Sequence, residues 1–278
     1  MLTASGEIKA EQVIQEFRAE YQKSDEHAFL VATELCDAAA LIEENRSLTR
    51  ILTQSSGNLQ SKIGILQNIF GQKVDKVTFD IIAKLTDNHW LDVSSLNDAL
   101  EVVSLDAYIS LAEKLGILKQ VQDELLQFYQ MLLQNAPIRD FLSNKTVPYM
   151  RRKHMLLGLL TGKMHPVSVA LSCLATEAVE RTRYLVALRW IQGEIAKRRE
   201  LVVANLNTSY TLSDEQIKRL EAVLIKKIGS KVQLNIIIDE NETGLMKLDF
   251  KSVLIDGSLG QKMKAFTANV NAGKVKER

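Results

Sequence analysis

Apolar residues recur at helical spacing along the chain as far as Glu200. Side chains three or four residues apart lie on one face of an amphipathic α-helix. One such stripe consists of Leu118, Val121, Leu125, Phe128 and Leu132. A stripe before it, interrupted at Gly116, consists of Leu105, Tyr108, Ile109, Ala112 and Leu115. Another near the start consists of Val13, Ile14, Phe17 and Tyr21. The pattern therefore predicts bundles of short helices.

The chain resembles itself when it is shifted by 90 residues, which aligns Asn45 with Asn135. Apolar positions then coincide across several predicted helices, as in the pairs Leu66 with Leu156, Phe70 with Leu160, and Val77 with Val167. Asp75, the counterpart of His165, is a good N-cap for one of these helices. We interpret the similarity as an internal duplication. The alternative is a chance likeness between two helical bundles.

The hydrophobic period changes after Glu200. Apolar and polar residues alternate over 202–210, which predicts a strand. Ser213 and Gln216 have the spacing of a capping box, at the start of a helix that Gly229 is suited to end. Alternation predicts further strands at 232–238, 246–250 and 253–255. A final stripe predicts a closing helix through Leu259, Met263, Phe266 and Val270.

These patterns predict a mainly α protein, with tandem small helical bundles followed by a smaller α+β C-terminal domain. We expect an extra copy of the helical bundle at 1–103, a second bundle at 104–200, and the α+β domain at 201–278. A chain of 278 residues is long enough for two or three domains with cores of their own. Scarce glycine (13) and proline (3) also favour long helices over a loop-rich design.

Composition narrows the classes of function. A formal net charge of +1 gives no global field that would attract nucleic acid or a membrane. No apolar run approaches the ~18 residues of a membrane-spanning helix, and the first residues, MLTASGEIKAEQ, do not have the pattern of an export signal. Cys36 and Cys173 lie in apolar helical surroundings. We expect them to be buried thiols in a reducing cytoplasm.

Motifs for chemistry are missing from the sequence. Neither G-x-x-x-x-G-K-[ST] nor G-x-G-x-x-G occurs, and the four histidines have no metal-ligand spacing. We therefore expect no enzyme activity, cofactor or metal site. Gly257 and Gly260 have the spacing of the GxxG loop of KH-type RNA-binding domains, although a tight turn before a helix explains them as well. From Lys251 onward, six basic residues against two acidic ones favour an acidic partner.

The order of motifs in the last third of the chain resembles a known family. A helix that opens with TLSDEQ is followed by KKIG, IIID and VLIDGS, an order similar to the C-terminal segment of the delta subunit of F-type ATP synthases. Its mitochondrial counterpart is the oligomycin-sensitivity-conferring protein. The most recognisable family string corresponds to Val253, Ile255, Asp256, Gly257 and Ser258. The resemblance begins at about Leu105, where Tyr108, Ala112 and Leu115 match positions in the opening helix of the family.

Three departures from the family pattern bear on what the resemblance implies. Gly244 is followed by Leu245 where the family usually has a double glycine, and Gly260 stands where a basic residue usually follows the string. The extra helical copy, from about Gln12 to Val102, occurs only in longer delta subunits. The first two departures concern local turn geometry. The third leaves open which copy contacts the catalytic head.

The resemblance implies a non-catalytic stator subunit in the peripheral stalk of a proton-translocating rotary ATP synthase. Such a subunit links the catalytic head to the membrane sector and resists rotor torque, without a cofactor. The implied partners are the N-termini of the alpha subunits and the b subunits of the stalk, with no nucleic acid. It implies a peripheral position on the cytoplasmic face of the cell membrane, with the membrane reached only through the complex.

Candidate contact residues follow from the same resemblance. We expect the second copy to bind an alpha subunit helix, because that copy alone is contiguous with the C-terminal part, as in the short form of the family. The expected groove is lined by Tyr108, Ala112, Leu115, Val167 and Leu171. On the side of the b subunits, the expected contacts are Lys262, Met263 and Phe266. The alternative function is a KH-like RNA-binding module that uses the Gly257–Gly260 turn.

Overall fold

The computed structural model describes residues 4–54, 58–87, 90, 94–199, 202–228, 232–238, 246–250 and 253–256. Two compact units are formed, by residues 1–192 and 193–278. The described residues confirm a mainly α fold with a smaller α+β part toward the C-terminus. No helix in these ranges has the length and apolar character needed to cross a membrane.

Short α-helices build the first unit, and the last of them continues past residue 192. In chain order they are α1 (Ala4–Tyr21), α2 (Asp25–Glu44), α3 (Arg46–Thr53), α4 (Leu59–Ile69), α5 (Lys76–Thr86), α6 (Ser95–Lys114), α7 (Leu118–Gln134), α8 (Ala136–Ser143), α9 (Tyr149–Leu160), α10 (Pro166–Glu177) and α11 (Tyr184–Arg198). A 3₁₀ turn, Ala178–Glu180, follows α10. Gly116, with a φ of 70°, lies just beyond α6, as the interruption of the stripe predicted.

Helix positions confirm the duplication. Arg46 and Ala136, which begin α3 and α8, are 90 residues apart, as are Leu59 and Tyr149 at the starts of α4 and α9. Lys76 and Pro166 at the starts of α5 and α10 have the same separation. By the same alignment α6 corresponds both to α1 and, in the other direction, to α11. Among the described helices, α1–α6 and α6–α11 are therefore two equivalent sets that share α6.

The shared helix corrects the predicted domain division. The expected boundary between residues 103 and 104 falls inside α6, and both helical copies belong to one compact unit. Sixteen of the 20 residues of α6 are buried, so this helix packs against neighbours on more than one side. A helix that is buried on several sides has no single stripe to show where one bundle ends. The division at residues 192 and 193 lies within α11, slightly before the expected boundary at 200.

The second unit combines a helix with a sheet. Its described elements are β1 (Val202–Thr208), α12 (Asp214–Ile228), β2 (Val232–Ile238), β3 (Met246–Phe250) and β4 (Val253–Asp256). In these residues the strand order is β2-β1-β3-β4, with β1 parallel to β2 and the other neighbours antiparallel. Leu206 and Leu224 are buried together, so α12 covers one face of the sheet.

The predicted capping box is confirmed at the start of α12. The backbone N–H of Gln216 donates to Ser213 Oγ at 3.3 Å, and the N–H of Ser213 donates to Gln216 Oε1 at 2.8 Å. These two bonds satisfy backbone donors that have no partner within the helix. The predicted closing helix from Leu259 lies outside the described residues.

Candidate interaction site

The structure separates the five residues that the sequence placed in one groove. Tyr108 and Ala112 on α6 and Leu171 on α10 are at most 2% exposed, and Val167 is 1% exposed. Leu115, at the C-terminal end of α6, is 42% exposed. These residues therefore do not line a single open groove.

Helix α2 of the first copy covers the predicted face of α6. The Phe29 and Tyr108 rings meet edge to face, with centroids 5.6 Å apart. The Thr33 hydroxyl donates to the Phe29 carbonyl, so the Tyr108 hydroxyl donates to Thr33 Oγ1 at 2.8 Å. Ser104 Oγ also donates to the Ala32 carbonyl at 2.7 Å. The prediction failed here because α6 is shared, and its second face packs on the chain's own α2.

An open groove remains beside this contact, which we call the α2–α6–α10 groove. It runs between the first half of α2, the end of α6 and the start of α10. Two of the predicted residues, Leu115 and Val167, line it. Leu30 (45% exposed) and Leu115 (42% exposed) are its most accessible large apolar side chains. Its other lining residues are Asp25, Glu26, Phe29, Thr33, Leu111, His165 and Pro166.

The walls of this groove are fixed by helix-end hydrogen bonds and an ion pair. His165 Nδ1 accepts the Val167 N–H at 3.2 Å, and Glu124 Oε2 accepts the His165 N–H at 2.9 Å. Burial alone would raise the pKa of Glu124, but hydrogen bonds from Ser168, then Gln120 and then the His165 N–H lower it below its usual value. Lys114 Nζ lies 2.7 Å from Asp25 Oδ1 and joins α6 to α2 across the rim. The groove is therefore apolar at its base and charged at its edge.

An apolar cavity of about 320 Å³ lies between α2, α9 and α10 and shares Phe29, Thr33 and Pro166 with this groove. Cys36 and Cys173 line it and are buried, as the sequence predicted. Burial raises the pKa of the Cys36 thiol well above its usual value and raises that of Cys173 to about 12. Both side chains therefore remain uncharged thiols at neutral pH, in keeping with a role in packing.

The described histidines with assigned contacts have structural partners. His27 Nε2 lies 3.1 Å from Asp75 Oδ1, and His165 caps α10. Within the described ranges, no group of three or more His, Cys, Asp and Glu side chains is arranged to hold a metal ion. His27 and His165 therefore stabilise the starts of helices.

The C-terminal candidates are only partly within the described residues. Val253, Ile255 and Asp256 lie in β4, where Ile255 pairs with Leu248 and Asp256 with Lys247. Gly257, Ser258 and Gly260 lie outside the described residues, as do the predicted stalk contacts Lys262, Met263 and Phe266. The string VLID therefore forms an edge strand of the described sheet.

Sequence reasoning missed Phe29 and Leu30, the two residues of α2 that complete the groove. A signal for them is present in α6, whose first half contains buried Leu96, Leu100 and Val103 in addition to the expected stripe. A helix with apolar residues on more than one face needs neighbours on each of them. That requirement indicates that the first copy packs on α6.

Comparisons with known proteins give a consistent result. A family model described as the ATP synthase delta (OSCP) subunit matches residues 106–270. The ATP synthase subunit delta of Acidothermus cellulolyticus is 28% identical, over 82% of this chain and 84% of that protein. For the subunit from Bifidobacterium adolescentis the identity is 26%, over 90% and 91%, and for that from Streptomyces avermitilis it is 29%, over 84% and 85%. At these coverages the matches include part of the first helical copy, and they lend no support to the RNA-binding alternative.

A comparison of folds finds a chain in the mitochondrial ATP synthase hexamer of Toxoplasma gondii. It is 21% identical, covers 60% of this chain and 94% of that chain, and has a TM-score of 0.38.

Proposed function

The chain belongs to the family of ATP synthase delta (OSCP) subunits, and from this premise we propose how its two units hold the synthase together. It is a non-catalytic peripheral-stalk subunit of a rotary ATP synthase, where it links the catalytic head to the membrane sector and resists rotor torque. As part of that complex it is associated with the membrane. We place it on the cytoplasmic face.

The helical unit binds the N-terminal helix of an alpha subunit in the α2–α6–α10 groove. Two exposed leucines that line this groove, Leu30 and Leu115, support the assignment most strongly. An amphipathic helix inserts residues at i, i+3 and i+4 into such a groove and forms a stiff joint without any chemical step. Tyr108 packs against Phe29 and so supports one wall of the groove, whereas Ala112 and Leu171 are buried. The first copy therefore contributes one wall of the site.

The charges at the rim of the groove restrict which partner helices can bind there. Glu26 is exposed at the edge of the groove, and Asp25 is paired with Lys114. A partner helix with apolar residues on one face and basic residues beside them is complementary to this arrangement. A stable joint buries at least ~1,000 Å², so the partner helix contacts the surface beyond the groove as well.

The C-terminal unit binds the b subunits of the stalk. This part of the proposal rests on the family match, which extends to residue 270 and includes Lys262, Met263 and Phe266. A basic excess in that segment suits acidic partner helices. The two units then contact different partners, so this chain transmits the rotor torque from the catalytic head to the stalk.

A pair of matched substitutions tests the groove. Leu30 and Leu41 both lie on α2 and are 45% and 43% exposed, but only Leu30 lines the groove. Leu30→Glu is expected to weaken binding of a synthetic alpha N-terminal peptide at least about tenfold, about 1.4 kcal/mol. Leu41→Glu is expected to leave the dissociation constant within about twofold. Titration calorimetry measures both, and equal losses, or a larger loss with Leu41→Glu, contradict the assignment.

A further inference from the structure

One guanidinium group faces four carboxylates inside the helical unit. Arg181, just after the 3₁₀ turn, lies 2.9 Å from Glu43 Oε2 on α2 and 3.2 Å from Asp98 Oδ1 on α6. It also lies 2.7 Å from Glu101 Oε2 on α6 and 2.9 Å from Glu177 Oε2 on α10. We call these five residues the Arg181 cluster. They connect one helix of the first copy, the shared helix and one helix of the second copy.

The Arg181 cluster is buried and carries more negative than positive groups. Side chains of Asp98, Glu101 and Glu177 are at most 3% exposed, and those of Arg181 and Glu43 are 13% and 16% exposed. Arg181 balances only one of the four carboxylate charges. Glu101 Oε1 is buried and has no hydrogen-bond partner among the described residues. Burial of unbalanced charge is costly, and such groups commonly become neutral by binding a proton.

The electrostatics agree with the geometry. Burial and then the neighbouring Glu177 raise the pKa of Glu101 to about 8, although Arg181 opposes the change. Burial also raises the pKa of Glu177, again against the effect of Arg181. Burial alone would lower the pKa of Arg181, but Glu177 and Glu101 raise it well above its usual value. The guanidinium therefore stays charged, and any bound proton resides on a carboxylate.

The Arg181 cluster is not repeated in the duplication. Shifting Glu43 and Arg181 by 90 residues leads to Leu133 and Leu91, so neither charge has a counterpart. Glu43, Asp98 and Glu101 precede residue 106, where the family match begins. The cluster therefore belongs to the joint between the two copies.

We propose that the Arg181 cluster is a proton-dependent latch, in which a proton held by the Glu101–Glu177 pair at neutral pH fastens α2, α6 and α10 together. When the proton is lost, a third uncompensated carboxylate repels its neighbours and the joint between the copies loosens. The latch goes beyond the stator role, since it concerns how the extra copy is secured and not what the unit binds.

The direction of the pH effect follows from linkage. The ordinary pKa of a glutamate is 4.5, and that of Glu101 in the folded unit is higher. The folded unit therefore keeps a proton that the unfolded chain releases. Its contribution to stability is complete below pH 4.5 and is lost as the pH rises through about 8. One such proton makes the unfolding equilibrium constant rise about tenfold per pH unit between these values.

Urea unfolding of the full chain from pH 6 to pH 9 tests the latch. The wild-type unfolding constant is expected to rise with pH, by up to about tenfold per unit below pH 8. Glu101→Gln keeps the shape of the side chain and removes its titration. The number of protons released on unfolding, which sets the slope, should therefore fall by about one. In Glu101→Gln the proton can still bind to Glu177. The double variant Glu101→Gln, Glu177→Gln removes both sites. As a matched control, Glu16→Gln removes an exposed carboxylate paired with Lys84 and should keep the wild-type slope.

Infrared spectroscopy gives a second readout that does not depend on stability. The carbonyl band of a protonated carboxylic acid is expected in the folded wild-type protein at pH 7 and should be absent from the double variant. A reduced slope in Glu101→Gln or in the double variant, together with this band, supports the latch. Equal pH slopes in the wild type, Glu101→Gln and the double variant overturn it, as does the absence of the band from the wild type.

Discussion

The two helical copies satisfy the same backbone groups with different side chains. Asp75 caps α5 by accepting the Val77 N–H at 2.8 Å, and His165 caps α10 by accepting the Val167 N–H at 3.2 Å. Glu34 and Glu124, also 90 residues apart, accept the N–H groups of these two caps at 2.9 Å. The residue type has changed, but the unpaired donor at the helix start still requires an acceptor.

The copies differ in what covers their first helices. In the first copy, α1 leaves Glu7, Ile8 and Glu11 exposed. In the second, α6 is buried on more than one side because it is also the last helix of the first copy. Duplication has thus converted a surface into an internal joint. A prediction based on one isolated copy places a partner helix where the chain's own α2 already lies.

Buried cations at equivalent positions give the sharpest contrast between the copies. Lys62 Nζ donates to the Leu52 carbonyl at 2.8 Å. Its counterpart Arg152 donates to the carbonyls of Asn144 at 3.2 Å, Thr176 at 3.0 Å and Val147.

Arg152→Ala is expected to cost about 3–5 kcal/mol because it leaves several buried acceptors unpaired. Lys62→Ala is expected to cost about 1–3 kcal/mol, as measured by urea unfolding. Equal costs would show that the extra bonds of Arg152 contribute nothing.

The contact between α1 and α6 is specific to the first copy. Asp106 on α6 accepts hydrogen bonds from Tyr21 at 2.7 Å and from Arg18 at 2.5 Å, while its counterpart in α11 is Ala196. Asp106→Ala is expected to lower the free energy of unfolding by about 1–2 kcal/mol, since the Tyr21 hydroxyl is buried while Arg18 is partly solvated. Asp140→Ala removes a carboxylate that is 75% exposed beside Arg139, and should have no measurable effect. Similar losses in both variants would contradict a special role for Asp106.

The helix caps give the smallest expected contrast. Asp75→Ala is expected to cost about 1 kcal/mol, and His165→Ala about half as much because its acceptor is farther from the N–H. Burial alone would raise the pKa of Asp75, but the Val77 N–H and His27 lower it. The Asp75 contribution is therefore present above pH 3.8, the ordinary aspartate value, and is lost as the pH falls below it. Unfolding of Asp75→Ala that is as sensitive to acid as the wild type would contradict this assignment.

Sequence patterns predict the features of this fold that depend on residues close together in the sequence. The stripe through Val121, Leu125 and Phe128 is buried in α7, and the capping box at Ser213 is formed as expected. Contacts that depend on tertiary packing were missed. Arg181 meets Glu43 across 138 residues, and no local pattern links the two. In the same way, a helix buried all round conceals which of its faces is covered, so Leu115 was identified while Phe29 and Leu30 were not.

We propose that the α2–α6–α10 groove holds an alpha subunit helix. The most direct test is photo-cross-linking in the assembled synthase from a photoreactive residue at position 115, with position 141 as the control. Leu115 and Phe141 are both accessible, at 42% and 36% exposed, but only Leu115 lines the groove. A cross-link to the N-terminal segment of an alpha subunit is expected from position 115, and none from position 141. Cross-linking of that segment from position 141 alone would contradict it.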